Sequence, residues 1–242
     1  MRQTNVRLAL ALALLVGAAS PSFAVTVDPT AIGAPQGPFT ANLVDFSYSA
    51  TVNQTGPVGC ATGCNFTESG TGSFSNWKVD FTTPVINSGL NQSPGYTLTG
   101  QFNASGIATP DASGGINVTF NSFNLQMFAQ SQPGGTPTLV ATTDAFLAGQ
   151  AHVFSTLAQG DFHILLDLKP VGGFFASNFV LNADFAGNNT HITGVSLGPF
   201  TGGNVVGSGD LTLRPVPEPT SLLLLGTGLA SLAWAARRRS QA

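Results

Sequence analysis

The chain has 242 residues, is 43% hydrophobic and only 8% charged, and carries a formal net charge of −3. Between its two ends, three basic residues (Lys78, Lys169 and Arg214) stand against ten acids. That balance excludes a nucleic-acid-binding body, because phosphate contacts need a basic patch. Solubility must come from Asn, Thr, Ser, Gln and Gly, a composition suited to one extracellular β domain.

The N-terminal residues fit a secretory signal peptide over 1–24. Arg2 and Arg7 precede an apolar stretch at 8–19, and Pro21 breaks it. Small residues Ser22 and Ala24 then flank Phe23, which predicts cleavage between Ala24 and Val25. A stretch of twelve apolar residues is too short to span a bilayer core of about 30 Å.

Period-two alternation begins in the body, residues 25–214. Val44, Phe46, Tyr48, Ala50 and Val52 share one face, with Asp45, Ser47, Ser49 and Thr51 on the other. Cys60 and Cys64 follow in Cys-Ala-Thr-Gly-Cys. In an oxidising compartment they are expected to form a disulfide with a small, local effect, Gly63 allowing the tight turn. Two thiolates without a nearby histidine make a poor zinc site.

Trp77, Val79 and Phe81 alternate next, then Tyr96, Leu98, Gly100 and Phe102. Ile116, Val118 and Phe120 open a further run whose apolar phase then moves to Phe123, Leu125 and Met127, predicting a bulge near Asn121 and Ser122. A helix is weakly indicated over 143–151. Strands are expected over 162–168, 179–185, 192–197 and 210–213, with loops at 131–137 and 202–204. Many short strands with frequent turn signals predict an all-β fold, an antiparallel β-sandwich or jelly-roll-like body.

Candidate chemistry is thin. His152, His163 and His191 are the candidate histidines, and alternation puts Asp161, His163 and Asp167 on one face, which reads as a solvated outer strand face. Asp144, Asp161, Asp167 and Asp184 show no spacing that marks a glycosidase pair. Asp111, Asp184, Asn188 and Asn189 are loop-like oxygen donors without a calcium-loop pattern. Asn-Xaa-Ser/Thr triplets occur at Asn53, Asn65, Asn103, Asn117 and Asn188. The expectation is a protein that is not an enzyme, with no catalytic residues, no metal ligands and no cofactor.

The last segment, 215–242, has a different logic. Pro217, Glu218 and Pro219 form an extended breaker. Residues 221–236 carry no charge and suit a short transmembrane helix of about 24 Å. Arg237, Arg238 and Arg239 close the run and should stay on the cytoplasmic side, placing the body outside.

This order of Pro-Glu-Pro, apolar helix and arginine cluster resembles the PEP-CTERM sorting signal. The resemblance implies a partner, exosortase, a membrane cysteine protease that would remove the tail near Pro217–Pro219 after transient anchoring in the inner membrane. From Gly70 onward, Phe-Xaa-Leu and Asn-Ala-Asp-Phe segments make the body similar to flocculation-associated PEP-CTERM proteins. That implies a secreted cell-surface or matrix protein acting with exopolysaccharide in floc or biofilm aggregation. The alternatives are a carbohydrate- or calcium-binding β-sandwich module and, further off, a secreted hydrolase.

Overall fold

The structure, a computed structural model, describes residues 24–176 and 179–216. A short sheet pairs β1 (Val25–Val27) with β2 (Phe39–Ala41), joined through a 3-10 turn at Pro29–Ile32. Eight long strands follow: β3 (Leu43–Thr55), β4 (Cys64–Lys78), β5 (Gly95–Pro110), β6 (Ile116–Gln132), β7 (Thr138–Val153), β8 (Gly160–Pro170), β9 (Leu181–Thr193) and β10 (Phe200–Pro215). Each pairs antiparallel with its sequence neighbours, and β10 returns to pair with β3, from Leu43 opposite Thr212 to Gln54 opposite Phe200. The body is therefore a closed, up-and-down, eight-stranded barrel.

The expected β-sandwich or jelly roll is thus corrected. Strands of 11 to 17 residues are long enough to tilt around a common axis, and closure leaves every one of the eight with two partners and no free edge. Features expected to end strands turn out to lie within them. Gly202 and Gly203 sit in β10, at a register shift between Phe200 and Gly203. Residues 143–151, read as a helix, lie inside β7, where two shifts against β8 displace the apolar phase. Val79 and Phe81, by contrast, lie beyond the end of β4 and are exposed. The bulge in β6 is where the phase change put it: Ser105 faces Ser122 and Gly106 faces Phe120, leaving Asn121 extra.

Alternation sends apolar side chains inward and polar ones outward. Along β3, Phe46, Ala50, Val52 and Gln54 are buried while Ser47, Ser49, Thr51 and Asn53 are exposed. A barrel that crosses a membrane has the reverse order, apolar toward lipid. This wall is built to face water. Among the described residues no helix is long and apolar enough to cross a membrane; the transmembrane helix expected at 221–236 lies outside the described residues, as does most of the expected signal peptide.

The two barrel ends differ. At the basal end, the β1–β2 sheet and the 171–176 loop pack Val25, Val27, Trp77, Tyr96, Phe174 and Phe175 into a solid plug, all at most 1% exposed. Burying each large side chain contributes roughly 1.5–3 kcal/mol. The indole of Trp77 donates to the Tyr96 hydroxyl at 2.8 Å, so neither polar group is left unpaired. Both Val25, at the start of β1, and Pro215, at the end of β10, belong to this end. At the distal end, loops 56–63, 154–159 and 194–199 fold inward, tied by Gly59 N–H to Leu197 C=O at 3.3 Å and Ile192 N–H to Ala158 C=O at 2.9 Å.

Candidate functional site

Above the basal plug the barrel is not filled. A cavity of about 110 Å³ runs from mid-barrel toward the distal end. A cavity needs only roughly 10–15 Å³ to admit one water, so this one has room for a small molecule. Aromatic rings make much of its wall. Phe102 and Phe123 stack at 5.1 Å, Phe66 meets Phe120 edge-on at 5.4 Å, and Phe46 meets Phe185 edge-on at 5.4 Å.

Glycines on the inward face make room for these rings. A Cβ on Gly70 would lie 2.6 Å from both the Phe102 ring and the Ser49 carbonyl oxygen, so only glycine fits where that ring crosses β4. Gly207 likewise accommodates Tyr48, whose ring would stand 2.5 Å from an added Cβ.

Three sets of polar side chains enter this apolar space. The Tyr48 hydroxyl donates to Asn189 Oδ1, and burial pushes the phenol well above its ordinary range, helped by the charge of Glu68. Gln54 donates to the Gly198 and Ser196 carbonyl oxygens at 2.7 and 3.2 Å, holding the 194–199 loop over the distal end. The third is Glu68. It points inward from β4, between Phe66 and Gly70, opposite Val52 and Ala104. Neither a hydrogen bond nor an ion pair reaches its carboxylate from the described residues. The protein encloses it, and the surface it retains faces the cavity. Desolvation raises its pKa from 4.5 to about 7.

Sequence reasoning did not single out Glu68. The signal was available: Phe66, Glu68, Gly70, Gly72 and Phe74 share one parity, and Phe66 and Phe74 assign that parity to the interior. Without a strand expected over 64–74, that parity has no inward or outward sense.

The residues that were singled out lie elsewhere. Cys60 and Cys64 are joined, with Cα atoms 5.1 Å apart, in the distal 56–63 loop region, and Gly63 between them has φ of +93°. His163 is on the outer wall of β8, its Nε2 2.7 Å from Asp184 Oδ1. His152 Nε2 is 2.6 Å from Asp111 Oδ2, which also accepts from Ser113 through its other oxygen. These bonds, led by that of His152, hold the Asp111 carboxyl well below the usual range. Asp161 faces His152 across the β7–β8 ladder, and Asp167 accepts from Asn182 at 3.3 Å. The oxygen donors considered for calcium are dispersed: Asp111 in the β5–β6 turn, Asp184 and Asn188 on the outer face of β9, and Asn189 inside. Among the described residues no three His, Cys, Asp or Glu side chains converge as a metal site requires.

The outer wall has one feature of its own. Across β3, β4 and β5 a shallow groove is lined by Ser49, Thr51, Ser69, Thr71, Gln101 and Asn103, together with Ala50, Gly70 and Phe102. Its polar side chains are all neutral and can hydrogen-bond.

No curated protein matches the chain. Among solved structures, the crystal structure of Neisserial surface protein A (NspA) is similar at 11% identity over 71% of this chain and 93% of that one, with a TM-score of 0.20, too slight a likeness to carry an argument. The PEP-CTERM protein-sorting motif matches residues 215–239, starting at the last residue of β10. Pro217, Glu218, Pro219 and the arginines 237–239 fall in this match, outside the described residues. The chain carries a PEP-CTERM sorting motif and is thereby an exported protein directed to exosortase for processing at the membrane.

Proposed function

We propose that this is a non-enzymatic surface or matrix protein that associates with exopolysaccharide once exosortase has removed its tail. The observation that carries the reading is the groove over β3–β5, whose neutral hydroxyls and amides match the hydrogen-bonding groups of a sugar chain and leave ionic attraction little part. The sparse charge of the whole body supports the same reading. The exposed Phe81, 73% accessible, sits between Val79 and Thr83 in a turn beyond β4, not on the groove. That arrangement favours distributed contact along a polymer over a stacking site for one sugar. Aggregation of cells within a floc or biofilm would follow from such contact.

The test is co-sedimentation of the released protein with exopolysaccharide purified from the producing cells. Binding should persist in 0.5 M salt, which screens charge but spares hydrogen bonds, as expected where the Debye length falls to a few ångströms. Replacing Thr51 and Gln101 by lysine should weaken it severalfold. Absence of co-sedimentation, or its loss in salt, would refute the reading.

A further inference from the structure

The lumen is chemically one-sided. Its aromatic faces each carry a partial negative charge, and it holds one carboxylate that nothing in the described protein neutralises. Its other polar side chains are already engaged, Tyr48 with Asn189 and Gln54 with the 194–199 loop. An enclosed carboxylate without a partner is costly to keep, and packing alone would not require one there. What would complement this interior is a compact apolar body bearing a single positive charge, because the charge would pair with the carboxylate and lie against ring faces, as ammonium groups do in aromatic cages.

We propose that the barrel lumen is a binding site for a small aliphatic amine, its ammonium group on Glu68 and its hydrocarbon among Phe66, Phe102, Phe120 and Phe123. The size fits. A dry apolar cavity of about 150 Å³ takes up benzene, so about 110 Å³ suits a chain of about four carbons. The route in lies at the distal end, where the cavity-lining residues Val195 and Phe200 are half-exposed while the basal end is plugged. The Gln54 hydrogen bonds hold the 194–199 loop beside that opening, making this loop the segment that would move to admit a ligand. This inference concerns the interior and is independent of the outer-wall reading, so either can fail without the other.

The experiment is calorimetric titration of the full chain, held in lipid nanodiscs, with n-butylamine, n-butanol and n-pentane. These probes share size and differ in charge and hydrogen bonding. Butylamine should bind at least tenfold more tightly than the other two. Glu68→Gln, nearly isosteric, should remove that preference. Glu68→Asp, which withdraws the carboxylate by one methylene, should give an intermediate loss and serves if the glutamine variant does not fold. Val52→Phe, placed opposite Glu68 to fill the space, should weaken all three probes. Equal binding of the three, binding of none, or butylamine binding indifferent to both Glu68 variants would overturn the proposal.

Discussion

Replacing Glu68 by glutamine removes an ionisable group from the lumen without changing its shape, and its effect on stability should depend on pH in a defined direction. In the unfolded chain the carboxyl titrates near 4.5; in the barrel, desolvation raises this to about 7. Below about pH 4.5 the group is protonated in both states and contributes no difference. Between those values the folded protein holds a proton that the unfolded chain has released, so stability falls as pH rises. Above about pH 7 the loss is complete. At 1.36 kcal/mol for each pKa unit, it amounts to roughly 3 kcal/mol.

Glutamine brings its own fixed cost, because its amide also lacks a partner, so the informative quantity is the difference between variant and wild type as pH changes. Urea unfolding of both proteins from near pH 4 to near pH 8.5 would give that difference, with the other titrating groups cancelling between them. The variant should gain roughly 3 kcal/mol relative to wild type across the range. A difference that stays flat would mean that the carboxylate is solvated in the barrel, and would refute the description of the lumen as a desolvated space.

Tyr48→Phe should destabilise the barrel by about 1–3 kcal/mol, measured by the same unfolding, because Asn189 would lose its hydrogen-bond donor in an apolar surrounding. Gly70→Ala should cost about 1–3 kcal/mol or more, since the new methyl meets a ring and a backbone oxygen that cannot both retreat. Changing Pro217, Glu218 and Pro219 together to alanine should leave an uncleaved, membrane-bound form. Mass spectrometry of the released wild-type protein should find Arg237, Arg238 and Arg239 absent, and their retention would contradict tail removal.

Much of the wall was legible because β alternation is a local signal. The inward set of β3 and the bulge at Asn121 could be read from neighbours a few residues apart. The Asn-Xaa-Ser/Thr triplets have the same origin: Asn53, Asn65, Asn117 and Asn188 face outward with the Thr two residues on, while Gln54, Phe66, Val118 and Asn189 between them turn inward. Closure was not legible, since no residue of β3 announces β10 as its partner. In β7, register shifts at Ala145 and Ala148 crowd apolar residues together, which imitates a helical face. Glu68 was hidden for a related reason: a charged residue is read as exposed unless the parity of its strand is already known.

The pairing of β3 with β10 joins Leu43 to Thr212, across nearly the whole body. Such distant pairing forms slowly, because loop closure must precede the contacts that reward it. A chain emerging in order from a translocation pore presents β3 through β9 as an open ribbon with two unpaired margins, each able to recruit a neighbouring ribbon. Only arrival of Phe200–Pro215 seals it. The sorting motif begins at that same last residue, so the strand that seals the barrel is the last part of the body to arrive before the tail. A body that lacks β10 would therefore keep β3 and β9 as free margins, and such truncated chains should associate edge to edge where the complete barrel does not.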